Sequence, residues 1–229
     1  MKFQIISDLH IEKYGFKSFV REAENLIIAG DLGRIGKEYT LVIEYLCSIF
    51  DRVILVLGNH EYIGRDIKET ENYFCILEST YENLFVLQND TVELDGILIF
   101  GSTFWSHILS DPTLDIFVGT ERISRLYWNT LHHQSITALE NAIEISKKKN
   151  IPLVVVTHYS PLGIESVHPK HHSPNSFEKN LFYFSNTVLQ YEKNIKKWIY
   201  GHTGHNYCTE KFISNQLECG GSLSFCINL

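Results

Sequence analysis

Long apolar runs are missing. None approaches the ~20 residues needed to cross a bilayer, so a membrane-spanning protein is not expected. Cysteine is sparse and irregular: Cys47, Cys75, Cys208, Cys219 and Cys226 are five in number and contain no CxxC pair. That argues against a disulfide framework or a cysteine zinc site, and fits a reducing compartment. The opening stretch MKFQIISDLH turns polar after two short apolar pairs, unlike a secretory leader, so a cytoplasmic protein is expected. Positive charge is also in deficit, with 20 basic against 27 acidic residues and a net charge of -7. Without a basic patch interleaved with aromatics, extended nucleic acid is not the expected partner. A cation in the site could still offset this acidity where an anionic substrate binds.

What remains is a core-forming chain. Its 229 residues, 44% hydrophobic and 13% aromatic, suit one domain, read here as residues 1–229. Short apolar runs recur, and each ends in a polar, glycine-bearing or histidine-bearing turn. Phe3–Ile6 runs into SDLH, Asn25–Gly30 into GDLG, and Arg52–Gly58 into GNHEY. Leu153–His158 runs into THYSP, and Lys197–Gly201 into GHTGH. Continuous β-branched runs of this length predict strands buried on both faces. A 3.6 period predicts helices over Tyr39–Phe50 and Ser135–Lys149, with a weaker one over Ile67–Leu77. Val92–Phe100 predicts a hairpin turning at Asp95-Gly96, and Tyr207–Gly220 another turning near Ser214-Asn215. Strands alternating with helices indicate an α/β layered fold.

In such folds ligands collect at the carboxyl ends of strands. Those ends carry Asp8 and His10, Asp31, Asn59 and His60, His158, and His202 with His205. Singly, each is an ordinary turn former or loop residue. Together, imidazoles and carboxylates at five successive strand ends suit zinc, iron or manganese, and the absence of cysteine among them argues against a structural zinc centre.

These blocks resemble the calcineurin-like metallophosphoesterases, whose pattern is D-x-H, G-D, G-N-H-[DE], a lone H, and G-H-x-H. The matches are Asp8–His10, Gly30-Asp31, Gly58–Glu61, His158 within THYSP, and GHTGH at Gly201–His205. The resemblance implies two facing mixed β-sheets flanked by helices, with a two-metal centre at one edge. Asp8 and His10 would bind a first metal, Asp31 would bridge, and Asn59, His158 and His202 would bind a second. His60 would face the phosphate as general acid or stabiliser, with Asp31 completing the catalytic pair and Glu61 orienting the site from behind. The activity implied is hydrolysis of phosphomonoesters or phosphodiesters, by in-line attack of a hydroxide that two divalent cations (manganese, iron or zinc; manganese in vitro) generate.

The last block departs from that pattern. The family's second histidine falls at Gly204, and a histidine follows one residue later. Either the loop carries an extra residue and His205 reaches the first metal, or that metal has lost a protein ligand. Three flanking stretches, GSTFWSH (Gly101–His107), LHHQSITAL (Leu131–Leu139) and PLGIESVHPKH (Pro161–His171), resemble a small stand-alone bacterial-type branch, although the ending GGSLSFCINL does not. Pocket candidates outside the motifs are His107, His132 and His133, and a loop carrying His168, Lys170, His171 and His172; Arg122 and Arg125 read as surface ion-pair residues. A small phosphate ester, nucleotide-derived among them, is the expected substrate. A silent interaction scaffold and a Ser/Thr protein phosphatase are the alternatives.

Overall fold

Strands that are apolar on both faces need cover on both sides. The computed structural model, which describes residues 1–16, 18, 20–185, 187, 191–217 and 225–229, supplies it with two stacked sheets between helices. In chain order the first half runs β1 (Lys2–Ile6), α1 (Ile11–Tyr14), β2 (Asn25–Ala29), α2 (Lys37–Ile49), β3 (Arg52–Val56), α3 (Ile67–Thr80), β4 (Leu84–Val86), β5 (Asp90–Leu94) and β6 (Ile97–Ser102). Next come β7 (Phe117–Val118), β8 (Glu121–Arg122), α4 (Arg125–Lys149), β9 (Leu153–Thr157) and α5 (Phe177–Asn180). The chain ends with β10 (Lys197–Ile199), β11 (Tyr207–Cys208), β12 (Phe212–Ser214) and β13 (Cys226–Asn228).

One sheet has the order β13-β1-β2-β3-β4, parallel except for β13. The other has the order β11-β12-β10-β9-β6-β5, parallel through its middle and antiparallel at both edges. Alternation sorts the side chains. Ile5, Ile27, Ile54 and Val56 meet Ile99, Val154, Val156 and Ile199 between the sheets. Ile28 and Leu55 pack outward beneath Val42 and Leu46 of α2 and Phe74 of α3. Phe100, Val155 and Trp198 pack under Leu139 and Ile143 of α4. Each such side chain contributes about 1.5–3 kcal/mol by leaving water.

Two expectations shift in detail, and one pairing was not foreseen. Helix α4 begins at Arg125 rather than Ser135, capped by Ser124, whose hydroxyl accepts from the Tyr127 amide. Its first turns bury Trp128, Leu131, His132 and Ser135, so polar residues on the inner face masked the period. The hairpin after Tyr207 turns at Thr209–Lys211, where the Thr209 hydroxyl accepts from the Phe212 amide, and Ser214 is inside β12. Residues 218–220 of that expected hairpin, Cys219 among them, lie outside the described residues. Finally, β13 pairs with β1 at Phe3↔Ile227, a match no local pattern announced.

Candidate metal centre

The two sheets bring their strand ends to one edge. Asp8 and His10 follow β1, Asp31 follows β2, Asn59 and His60 follow β3, His158 follows β9 and His202 follows β10. The Asp8 amide donates to Gly30 O (3.1 Å) and the His10 amide to Asp31 O (3.2 Å), so the first two turns are laced together. Asp8, His10, Asp31 and His202 all have left-handed φ (54°, 47°, 53° and 68°). Such backbone is costly for non-glycine residues and gathers where structure serves a site. Gly58 is there for close approach, since a Cβ would collide with the Asp31 carboxylate and lie 2.5 Å from its amide nitrogen.

Asp31 is where two donor groups meet: His10, Asp31 and His60 form one, and Asp31, His158 and His202 the other, each with ligand atoms within 4.8 Å of one another. Asp31 Oδ2 lies 3.3 Å from His158 Nε2, 3.8 Å from His10 Nε2 and 3.9 Å from His60 Nε2. Asp8 Oδ1 lies 4.0 Å from His10 Nε2, and both Asp8 oxygens accept from the His202 amide at 3.1 Å. Asn59 Oδ1 lies 3.1 Å from His158 Nε2.

Backbone carbonyls fix the ring tautomers. His158 Nδ1 donates to Ala29 O (3.0 Å), leaving Nε2 for the site, and His202 Nε2 donates to Phe182 O (3.0 Å), leaving Nδ1. Metal-binding histidines are held in this way. Burial opposes a charge on His158, but Asp31 beside it pushes it up to about 9. Burial likewise opposes the Asp31 carboxylate, yet the facing His158, and then His60 and His10, hold it well below the usual carboxylate range. Burial, with His158 nearby, takes His202 down to about 3, so it stays a neutral ligand. Without metal, then, a proton on His158 sits against the carboxylates, and a divalent cation would displace it. Carboxylate, amide oxygen and neutral imidazole around one shared anion fit such a cation.

Residues 1–206 match the family described as calcineurin-like phosphoesterase. The chain belongs to that family. It is a metal-dependent phosphoesterase. An uncharacterized protein of Acanthamoeba polyphaga mimivirus is 26% identical over 92% of the chain and 86% of its own length. A symmetrical bis(5'-nucleosyl)-tetraphosphatase of Buchnera aphidicola (subspecies Schizaphis graminum) is 35% identical, but over 37% of this chain, which spans only 35% of that relative. Phosphopantetheinyl hydrolase of Mycobacterium tuberculosis has the same fold, with a TM-score of 0.65 at 16% identity over 94% of this chain and 88% of that one.

Against the sequence reading, the phosphoesterase gathers Asp8, His10, Asp31, Asn59, His60, His158 and His202 at one edge. It does not bring His205 into either donor group. Gln216 explains why: its side chain accepts from the Gly204 amide (2.7 Å) and donates to Thr203 Oγ1 (2.7 Å) and His205 O (3.1 Å). So pinned, the turn sends the His205 ring toward His168, 5.9 Å away. His107, His132 and His133 cluster apart from the donor groups, with rings 5.3–5.8 Å from one another and His132 Nδ1 donating to Trp105 O. Arg122 pairs with Asp115 at the surface.

Sequence reasoning missed Glu12. Its Oε1 accepts from His60 Nδ1 at 2.7 Å and its Oε2 from the Arg34 amide at 3.2 Å. Glu61, the motif carboxylate, turns inward instead and accepts backbone amides. The only signal was a carboxylate two residues after His10. Because a carboxylate only accepts, Glu12 fixes the proton of His60 on Nδ1 and points Nε2 toward Asp31. Glu12→Ala is expected to lower turnover by roughly 10–100-fold, the usual effect of removing an orienting partner, with metal content unchanged. Glu12→Gln should recover part of it, since its amide oxygen still accepts. Steady-state kinetics beside elemental analysis check this, and metal loss in Glu12→Ala would overturn it.

Proposed function

We propose that the chain hydrolyses small organic phosphate esters, mono- or diesters and nucleotide-derived ones among them, as a single domain over residues 1–229 that holds two divalent cations. Asp8 and His10 would hold one, Asn59, His158 and His202 the other, and Asp31 both; manganese would serve in vitro. The observation that carries this reading is the Asp31 carboxylate standing in both histidine groups at once. Two cations so held would supply Lewis acidity toward phosphoryl oxygens and lower the pKa of water enough for attack near neutral pH.

The chain's own residues do the rest. With Nδ1–H committed to Glu12, His60 offers Nε2 to the phosphate; as imidazolium it can pass the Nε2 proton to the leaving alkoxide and is left neutral with its Nδ1–H still on Glu12. A recess of ≈ 500 Å³ opens beside Asn59 and His202, walled by Leu114, Tyr159, Phe182 and Tyr183. Its size and aromatic walls suit the organic part of a small ester, and its lining carries one residue of each charge, Lys179 and Asp111. Among the described residues no arginine lines it, which speaks against a protein phosphatase gripping a phosphorylated residue. The donor set, with every carboxylate and imidazole oriented, speaks against a silent scaffold. The tetraphosphatase relatives, named for nucleotide substrates, favour a nucleotide-derived ester.

Metal content per chain, measured with hydrolysis of p-nitrophenyl phosphate and bis-p-nitrophenyl phosphate in added manganese, tests the reading. About two metals with turnover are expected, the faster ester separating monoesterase from diesterase. One metal or none, without turnover, would overturn it.

A further inference from the structure

The recess beside Asn59 and His202 is larger than a phosphate at the metal centre requires. At ≈ 500 Å³ it exceeds the roughly 150 Å³ cavity that already accepts benzene. Its apolar walls are Leu114, Tyr159, Phe182 and Tyr183, and its one cation, Lys179, is matched by one anion, Asp111. A neutral, flat apolar group suits such walls better than a second anionic one.

Those walls are built before anything binds. Trp128, with no exposed surface, packs edge-on against Phe182 (ring centres 5.9 Å apart, 70°) and Tyr159 (6.3 Å, 90°). The Tyr183 ring is inclined by only 27° to His171 (5.1 Å) and by 31° to His202 (5.5 Å). The segment carrying Phe182 and Tyr183 is closed by the Ser173 amide, which donates to Asn180 Oδ1 (2.7 Å). It is tied to the site by Phe182 O, which accepts from His202 Nε2. Preformed walls spare a ligand much of the ordering cost of binding.

Position assigns the recess to one side of the reaction. Among the described residues its lining includes Asn59 and His202, both donors of the second cation's set, and none of Asp8, His10, Glu12 and His60. His60 belongs to the donor group of His10, and its Nδ1 is bonded to Glu12 at 2.7 Å. The proton on His60 Nε2 goes to the leaving oxygen, so the leaving group departs on the His10 and Glu12 side. What fills the recess is then the group that stays on phosphorus.

We propose that the preferred substrate is a phosphodiester whose retained group is a flat aromatic ring, seated against Leu114, Phe182 and Tyr183. A monoester has no second group and would leave the recess empty. One P–O bond forms to water and one breaks. The leaving oxygen takes the His60 proton, the proton that water gives up restores His60 by way of solvent, and the aromatic monoester is released.

The inference rests on the metal-centre reading above, and its test separates the two. Benzylphosphonate and methylphosphonate carry their organic group where a retained group stands, through a bond that does not hydrolyse. In calorimetric titrations of manganese-loaded protein, benzylphosphonate is expected to bind about tenfold more tightly or better. Leu114→Gln and Tyr183→Ala should each lower that ratio severalfold. The ratio is the readout because a change at the cations moves both ligands alike. Phenyl p-nitrophenyl phosphate should likewise show a lower KM than methyl p-nitrophenyl phosphate, which loses the same leaving group. A wild-type binding ratio near one, or one that survives both substitutions, overturns the recess as the ring's seat. Equal KM values, or turnover of p-nitrophenyl phosphate with neither diester cleaved, overturn the retained-group assignment. No binding of either phosphonate, with no turnover of p-nitrophenyl phosphate, would remove the metal-centre reading as well.

Discussion

Asp31→Asn is expected to lower hydrolysis by well over the roughly 10–100-fold that follows loss of a ligand's outer partner, and to take metal content from about two per chain to one or none. The substitution keeps shape and removes charge. Asparagine can still accept the His60 amide that now reaches Asp31 Oδ1 at 2.8 Å, so the backbone has little reason to move. What goes is the anion facing His158 at 3.3 Å, His10 at 3.8 Å and His60 at 3.9 Å. An amide oxygen is a poor bridge between two cations, because it brings no negative charge to offset their repulsion. Elemental analysis and turnover of p-nitrophenyl phosphate decide the matter, with thermal unfolding as the control for folding. Near-normal turnover would sink the shared-ligand arrangement.

That residue was legible from sequence because its position is topological. Parallel strands deliver their carboxyl ends to one edge, so Asp8, Asp31, Asn59, His158 and His202 could be named from the ends of apolar runs alone. The same logic failed wherever position depends on contacts distant in sequence. His205 sits in the matching block, yet Gln216, which no motif includes, turns it away from the donor groups. His202 is aimed by a main-chain carbonyl of Phe182, and carbonyls carry no sequence signal. Helix α4 was half seen because Trp128 and Leu131 share its inner face with His132 and Ser135, whose polarity is met by Trp105 O and Leu131 O. Gly204 was read either as a bulge that brings His205 to the first metal or as a lost ligand. In the fold it is also an opening for Lys170 and His171.

Glu61→Ala is expected to cost about 3–5 kcal/mol of stability, the range seen when one partner of a buried charged network is removed. The Glu61 side chain is fully buried. Its Oε2 accepts from the amides of Gly58 (2.8 Å) and Asp31 (3.2 Å), and its Oε1 from the Gly33 amide (3.3 Å) and the Tyr39 hydroxyl (3.3 Å). One carboxylate thus ties the turn after β2 to the turn after β3, the two turns that carry Asp31, Asn59 and His60. Alanine leaves three amides and a hydroxyl buried without that acceptor, each costing about 1–3 kcal/mol unless water replaces it. Relief partly offsets this, since burial first and Asp31 second push the Glu61 carboxyl up to about 7, and deleting it removes both strains. Against a total of about 5–15 kcal/mol, the remainder should lower the melting temperature by on the order of 10 °C. Thermal unfolding in a chelator, so that metal binding does not enter, checks the figure. Glu61→Gln separates packing from charge: it keeps the volume and one accepting oxygen but turns an NH2 toward amide donors, so it should fall between alanine and wild type. A loss under about 1 kcal/mol for alanine would mean that water takes over the carboxylate's bonds, and that the two turns are held by the strands that lead into them.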